Sequence, residues 1–223
     1  MFKIIIIVFL ILFASWSVVY AQQSTLLTDF EGTGNQLLEP FGGYFYGYTD
    51  NNEVPPGSST IEELIIKGEN SILNPIVKRN FGADKSAGYL KISGAVTIQF
   101  KYGYAGCGFN FKSDASNIDL SKYKGIKFDA KGSEHFFLIK LNISDILESE
   151  RTGDWAFHEK AFMPDENWGK KTIFFKDLKQ PSFRKKKVKV EEALKKVKGI
   201  QWQTKGQPID KYELCLDNIE LIQ

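Results

Sequence analysis

The C-terminal stretch of the chain, GIQWQTKGQPIDKYELCLDNIELIQ, limits the possible folds more than any other part of the sequence. Apolar and polar residues alternate in it on both sides of a Gly-Gln-Pro turn. The apolar positions of this alternation are Ile200, Trp202, Tyr212, Leu214 and Leu216. A period of two places one row of side chains in a core and turns the other row outward. The stretch therefore predicts two consecutive, half-buried β-strands.

A final strand of this quality needs a partner, because an unpaired strand edge promotes aggregation. The segment Leu26–Glu31, near the other end of the chain, also alternates and carries carboxylates beside apolar residues. We expect these two ends of the chain to pair and to close a β-sandwich.

Between the ends, short alternating segments recur with turn residues between most of them, which is typical of a sandwich or jelly roll. The predicted strands are Thr60–Lys67 at an edge, Gly88–Gly94, Cys107–Lys112, Gly125–Lys131, Phe136–Ile143, His158–Met163 and Lys171–Lys176. Their predicted core residues are Phe109, Phe111, Ile126, Phe128, Phe137, Ile139, Leu141, Ile173 and Phe175. The predicted fold is an all-β, two-sheet antiparallel β-sandwich in a single domain, residues 22–223. A Gly- and aromatic-rich segment, residues 41–52, is predicted as a loop, and Val190–Val197 as a short helix.

The N-terminus has the features of a secretory signal peptide. A short positive start precedes an unbroken apolar run, Ile4–Phe13, and small residues end at Ala21. We expect cleavage after Ala21, so that residues 1–21 are removed and the protein is secreted, periplasmic or at the cell surface. The alternative is an uncleaved membrane anchor, since the apolar segment approaches spanning length. After cleavage no membrane span is expected.

Charge and cysteine content limit the functions further. The formal charge of +2 falls to about +1 without Lys3, which argues against a nucleic-acid binder. In an oxidising compartment Cys107 and Cys215 could form a disulfide, or remain two buried free thiols, which we favour. The basic run Phe183–Lys189 is either a solvated loop or a feature that attracts anionic polysaccharide.

The rows opposite the predicted core carry amides rather than an even spread of charge. They include Asn110, Lys140, Asn142, Gln201 and Gln203. Such a face suits a hydroxyl-rich ligand, although a simply solvated sheet face is the plainer interpretation. The sequence contains no Gly-x-Ser-x-Gly elbow, His-Glu-x-x-His motif or phosphate loop, so we do not expect an enzyme.

Several short motifs follow one another in a characteristic order over nearly the whole chain after Ala21. They are Asp29–Glu31, Tyr46–Asp50, Gly88–Leu90, Tyr104–Gly108, Asp119–Ile126, Gly199–Gln203 and Leu216–Leu221. In this order they resemble the family 11 carbohydrate-binding modules and the related domain of complex I intermediate-associated protein 30. The resemblance implies a galactose-binding-domain-like jelly roll.

The resemblance also implies a non-catalytic module that binds polysaccharide, typically β-glucan, in a cleft on the concave sheet. Aromatic rings would stack on sugar rings, and amides or carboxylates would bind hydroxyl groups. The implied ligand-binding residues are Tyr46, Tyr48, Asp50, Trp155, His158, Phe183, Gln201 and Gln203. Phe183 departs from the Trp that is frequent there in the family. A simpler alternative is that Tyr46 and Tyr48 pack their loop against the sandwich. Another is that His158 is a buried structural residue. Trp202 is expected in the core.

Related modules frequently hold a structural Ca²⁺ where the termini meet, bound by hard oxygen ligands. By resemblance, Asp29, Glu31 and Asp217 would supply them, unless they are ordinary carboxylates at strand ends. Such modules usually accompany a glycoside hydrolase, so a separately encoded hydrolase is an expected partner. The alternative function is structural or assembly work, in which the same fold binds an envelope protein.

Overall fold

The computed structural model of the chain describes residues 23–31, 37, 40–66, 83, 88–143, 157–182 and 187–223. Its strands are β1 Ser24–Thr28, β2 Tyr44–Thr49, β3 Thr60–Ile66, β4 Leu90–Val96, β5 Ala105–Asn110, β6 Gly125–Gly132, β7 Phe137–Asn142, β8 Phe157–Phe162, β9 Gly169–Phe174, β10 Gly199–Thr204 and β11 Ile209–Ile222. The predicted signal peptide, residues 1–21, lies outside the described residues and stays a prediction.

The strands form two antiparallel sheets. In the six-stranded sheet the order is β3-β4-β11-β6-β9, and β1 pairs with β11 beside this path. In the five-stranded sheet the order is β2-β5-β10-β7-β8. The predicted all-β, two-sheet antiparallel sandwich is therefore confirmed.

The two ends of the chain meet as predicted. In the β1–β11 ladder Ser24 is paired with Ile222 and Thr28 with Ile219. The final two strands, β10 and β11, lie in different sheets, so the turn between them crosses from one sheet to the other. Gly206 in this turn has a φ of +98°, a conformation that favours glycine. The C-terminal stretch thus connects the two sheets as well as closing one of them.

The core lies between the sheets and contains every residue that the alternation predicts for it. All nine are at most 4 % exposed: Phe109, Phe111, Ile126, Phe128, Phe137, Ile139, Leu141, Ile173 and Phe175. Trp202, also buried, lies with its ring centroid 5.9 Å from that of Phe109 and 5.6 Å from that of Phe128. Because these two phenylalanines belong to different sheets, Trp202 joins the two halves of the core. Each large side chain buried in this way stabilises the fold by roughly 1.5–3 kcal/mol.

The prediction of a loop at residues 41–52 is wrong for its central part, which is strand β2. Tyr44, Tyr46 and Tyr48 point to one side of this strand, and Phe45, buried, points to the other. A Cβ on Gly47 would lie 3.0 Å from the side chains of Ile61 and Leu64 on β3, so the glycine lies on the Phe45 side of the strand, although it is exposed there. Aromatic and glycine content suggested a loop, but the period of two and the pairing with β5 decide the structure.

The remaining structural predictions concern the cysteines and the helix. Cys107 and Cys215 are buried and free, which confirms the preferred interpretation. Burial raises the pKa of the Cys107 thiol to about 12. The helix predicted at Val190–Val197 is confirmed as one turn, α1, Val190–Ala193, followed by a 3₁₀ turn. In the part of the chain that the structure describes, no helix is long and apolar enough to cross a membrane.

Candidate functional site

The candidate site is the open face of the five-stranded sheet, meaning the side that points away from the core. Strand register arranges its side chains in rows that cross the sheet. The first row contains Tyr44, Asn110, Gly199, Asn142 and Phe157. The second row contains Tyr46, Gly108, Gln201, Lys140 and Glu159. The third row contains Tyr48, Gly106, Gln203, Leu138 and Ala161.

Two glycines on β5 determine how the neighbouring side chains lie on this face. A Cβ on Gly106 would lie 2.8 Å from both Cζ and Oη of Tyr48. The tyrosine ring therefore extends across β5 instead of standing upright beside it. A Cβ on Gly108 would lie 2.7 Å from Cγ of Gln201, so this side chain also rests on a glycine. The middle of the face consequently presents rings and amides close to the sheet.

Hydrogen bonds hold the tyrosines and glutamines in register. Gln201 donates through Nε2 to the hydroxyl oxygen of Tyr46 at 2.9 Å. Oε1 of Gln203 accepts a bond of 2.8 Å from Nζ of Lys140 and a longer one of 3.4 Å from the Tyr48 hydroxyl. The rings of Tyr46 and Tyr48 are 6.1 Å apart between centroids. These hydrogen bonds link the polar side chains of the second and third rows to one another.

The hydroxyl groups of Tyr46 and Tyr48 remain neutral at physiological pH, because the pKa of each is raised. Burial raises the pKa of Tyr46, and hydrogen bonds with Gln201 and Asn142 offset part of that rise. Burial likewise raises the pKa of Tyr48 well above its ordinary value. The ammonium group of Lys140 lies 4.1 Å from the centroid of the Phe157 ring, a cation–π contact. The face therefore combines aromatic surface with neutral donors and acceptors, which is the chemistry that hydroxyl-rich molecules require.

Four of the predicted ligand-binding residues are brought together here. Tyr46 and Gln201 share the second row, and Tyr48 and Gln203 share the third. Trp155 and Phe183 lie outside the described residues and stay predictions. The two others, Asp50 and His158, lie elsewhere.

Asp50 is a buried structural residue, and its assignment to the binding face is corrected. Its side chain is 0 % exposed in the connection between β2 and β3. Oδ1 accepts the backbone N–H of Ser59 at 3.0 Å, and Oδ2 accepts the Ser59 hydroxyl at 2.7 Å. Because a buried carboxylate must be paired, Asp50 fixes this connection rather than meeting a ligand.

His158 belongs to the core side of β8, so its assignment to the binding face is also corrected. It is paired with Leu141, a core residue, and is 2 % exposed. Its Nε2 donates to the backbone oxygen of Val188 at 2.8 Å. Burial lowers the pKa of its imidazole. The sequence contained a signal for this position, since His158 shares its alternation with apolar Phe162.

Comparison with known families agrees with this architecture. Residues 77–216 match the family model of complex I intermediate-associated protein 30. The chain belongs to this family. No protein in the curated set matches it.

Solved structures that resemble this member of the complex I intermediate-associated protein 30 family include carbohydrate-binding modules. One is the family 11 module of the cellulosomal cellulase Lic26A-Cel5E of Clostridium thermocellum, with a TM-score of 0.58 and 19 % identity over 91 % of this chain and 95 % of that one. Another is the solution structure of CtCBM11, with a TM-score of 0.52 and 19 % identity over 92 % of this chain and 97 % of that one. These likenesses show a shared fold.

The implied calcium ligands do not form a metal-binding set in the described residues of this family member. Glu31 accepts the Gly88 N–H at 2.6 Å, and Asp29 accepts the Glu31 N–H at 3.1 Å. Asp217, fully buried, accepts the N–H groups of Ala83 and Asn218. Among the described residues, no group of three or more His, Cys, Asp or Glu side chains is placed to hold a metal ion. Calcium stays a prediction.

Sequence reasoning missed several residues of the open face. Tyr44, 37 % exposed, extends the tyrosine row along β2, and the same alternation that places Tyr46 could have found it. Phe157 was missed because the predicted strand began one residue later. Gly106 and Gly108 contribute by lacking side chains, and no sequence signal shows which side chain will lie over a glycine.

Proposed function

We propose that this member of the complex I intermediate-associated protein 30 family is a non-catalytic carbohydrate-binding protein. Its ligand is a linear polysaccharide of the β-glucan class, bound on the open face. The observation that carries the proposal is the pair of ordered contacts between Tyr46 and Gln201 and between Tyr48 and Gln203. The fold that the chain shares with family 11 carbohydrate-binding modules supports it.

The physical basis is the two-sided chemistry of a sugar ring. Its C–H face packs against an aromatic ring, and its hydroxyl groups exchange hydrogen bonds with amides at its edge. Tyrosine supplies a large, stiff surface that loses little conformational entropy on binding. Because the glutamines are already ordered by Tyr46 and Lys140, a ligand would meet a site with little left to organise.

We propose a non-catalytic face because it carries too few carboxylates for glycoside hydrolysis. Glycoside hydrolysis needs two carboxylates on opposite sides of the scissile bond. In the three rows described above, Glu159 is the single carboxylate. The face is accordingly assigned to binding, and hydrolysis would need a catalytic site elsewhere.

The proposed location is outside the cytoplasm. The predicted signal peptide, residues 1–21, supports export, so the protein would meet extracellular or cell-wall glycans. The basic run Phe183–Lys189 would add attraction to acidic polymers or to a negatively charged surface.

Affinity electrophoresis of the purified protein tests the proposal. Gels would contain mixed-linkage β-glucan, glucomannan or no polysaccharide, each with and without EDTA. We expect retardation by β-glucan in the parent protein and its loss in Tyr46→Ala/Tyr48→Ala. Retardation that EDTA abolishes would support the calcium prediction. A folded parent protein that no polysaccharide retards would overturn the proposal.

A second candidate function is binding of an envelope protein, favoured by exposed apolar side chains in two adjacent turns. Val54, Ile98 and Tyr102 are 93 %, 68 % and 66 % exposed. The Ser58 and Thr97 hydroxyls, 3.0 Å apart, link these turns into one surface. Exposed apolar clusters of this kind mark interaction sites. The variant Ile98→Ser/Tyr102→Ser should then lose an envelope partner that the parent co-purifies, while it keeps its affinity for glycan.

A further inference from the structure

The outward-pointing polar side chains of β10 continue beyond the three rows that contain the predicted site. Gln201, Gln203 and Lys205 follow one another at every second position, and Gln201 and Gln203 lie on the open face. Lys205 comes directly after β10, and its N–H donates to the backbone oxygen of Phe136 at 2.9 Å. This bond continues the pairing of Thr204 with Phe137 by one residue. The sheet geometry therefore produces a fourth row on the open face.

The fourth row contains an aromatic residue on each side of a lysine. Phe136 lies on one side of Lys205, whose Nζ is 5.9 Å from the ring centroid. On the other side, alternation along β5 places Tyr104 two residues before Gly106, in line with Lys205. The first three rows each contain an aromatic residue farther from β10, on β2 and, in the first row, also on β8. Rows two and three have a hydrogen-bonding side chain on β10 itself.

The aromatic surface is continuous from the third row into the fourth. The Tyr104 ring is 5.9 Å from that of Tyr48 between centroids, and the Tyr104 hydroxyl donates to Glu53 at 2.5 Å. Phe136 is 52 % exposed, although its backbone is held by the sheet. Among the described residues, Lys205 forms no ion pair that would neutralise or redirect its ammonium group. The exposed ring of Phe136 thus lies under the exposed ammonium group of Lys205, and the rest of the ring surface is open to solvent.

We propose that Phe136, Lys205 and Tyr104 form an end subsite of the open face, for a linear glycan that runs along β10. A further sugar ring stacks on Phe136, and its hydroxyl groups accept hydrogen bonds from the Lys205 ammonium. The distance along the strand from Gln201 to Lys205 is about 14 Å at the usual rise per residue of a strand. Long oligosaccharides reach this subsite and short ones do not. The inference rests on the proposed function and adds a length preference to it.

Calorimetric titration with oligosaccharides of two lengths tests the inference. The probes are a two-sugar and a six-sugar fragment of mixed-linkage β-glucan, and the variants are Phe136→Ala and Tyr102→Ala. Tyr102 is a matched control, because it is exposed and lies under Lys101 at 5.1 Å, but belongs to the turn surface. We expect Phe136→Ala to weaken binding of the long fragment by about three- to tenfold and to leave the short fragment unaffected. Tyr102→Ala should bind both as the parent does.

The possible outcomes separate the subsite from the function. Binding of both fragments by the parent, with no effect of Phe136→Ala or an equal loss for both lengths, would overturn the subsite and leave the function intact. Binding of neither fragment by the parent would overturn both. Phe136→Leu is a second variant in case the alanine variant folds poorly. It keeps an apolar side chain but removes the ring. We expect the same selective loss of affinity for the long fragment.

Discussion

The two outward faces of this sandwich have the same backbone geometry and different chemistry. The outer face of the six-stranded sheet carries ion pairs between neighbouring strands. Nζ of Lys127 lies 2.9 Å from the Glu220 carboxylate, and Nζ of Lys91 lies 3.1 Å from that of Glu213. The open face of the five-stranded sheet instead pairs Tyr46 with Gln201 and presents glycines beneath its rings.

The difference shows what a solvated sheet face looks like in this protein. Partly exposed ion pairs give little stability, about 0–1 kcal/mol each, and they keep a surface soluble without needing fixed geometry. Ordered amides against tyrosine rings do need fixed geometry, and solubility alone does not require them. The outer face of the six-stranded sheet is therefore what a simply solvated sheet face should be, and the open face of the five-stranded sheet is not.

Removing the tyrosines should have the largest effect on binding. In Tyr46→Ala/Tyr48→Ala the stacking surface and the partner of Gln201 are lost together. We expect affinity for β-glucan to fall about ten- to hundredfold, on the order of two aromatic contacts and a hydrogen bond. Calorimetry measures the affinity, and circular dichroism checks the fold. A folded variant with parental affinity would show that the open face is not the site.

Asp50 should affect stability and leave affinity unchanged. In Asp50→Asn the charge-assisted bonds to the Ser59 N–H and hydroxyl are weakened inside the protein. We expect the free energy of unfolding to fall by about 2 kcal/mol. Urea denaturation gives the stability, and titration of the folded variant gives the affinity. Parental stability combined with lost binding would restore Asp50 to the site and would contradict its place in the interior.

His158 should make stability depend on pH without changing the open face. Burial lowers its pKa in the folded protein, so the folded histidine stays neutral when the unfolded one begins to take up a proton near about pH 6.5. Stability is then complete above that pH and falls as the pH drops toward the folded pKa, by at most about 1.4 kcal/mol per pH unit. Urea denaturation on both sides of this range should show a smaller loss for His158→Gln than for the parent. Equal pH dependence in the two proteins would refute a buried, neutral His158.

The smallest effect is expected on the outer face. Lys127→Ala breaks the ion pair with Glu220, which is partly exposed on both sides. The free energy of unfolding should change by about 0.5 kcal/mol and glycan affinity should not change. The same titration and denaturation experiments measure both quantities. A loss of affinity here as large as that of the tyrosine variant would remove the distinction between the two faces.

The sequence predicts most of the fold, because alternation is a local property. The nine predicted core residues in and beside β5, β6, β7 and β9 are all buried. Gln201 and Gln203 lie on the open face, as their alternation with core residues predicts. The pairing of β1 with β11 follows from the need of a final strand for a partner. The same alternation is present in β2, where glycine and tyrosine content favours a loop over the strand that forms.

The candidate site was less predictable, because it depends on which strands become neighbours. Tyr48 lies over Gly106 only because β2 is paired with β5, and no local pattern reveals that pairing. Asp50 looks like a ligand-binding residue in the sequence, but its partner Ser59 lies across a connection whose shape cannot be derived from composition. The position of His158 can be predicted from the sequence, because it lies an even number of residues from apolar Phe162 and so shares its face of the strand.

The most direct test of a glycan site on the open face is an NMR titration of the labelled protein with a six-sugar fragment of mixed-linkage β-glucan. The side-chain amides of Gln201 and Gln203 report on the centre of the face, and the backbone amide of Lys127 reports on the outer face of the other sheet. We predict progressive shifts of both glutamine amides and of β2 and β5, with Lys127 unchanged. Saturable shifts confined to other parts of the protein, or none at high ligand concentration, would contradict the account.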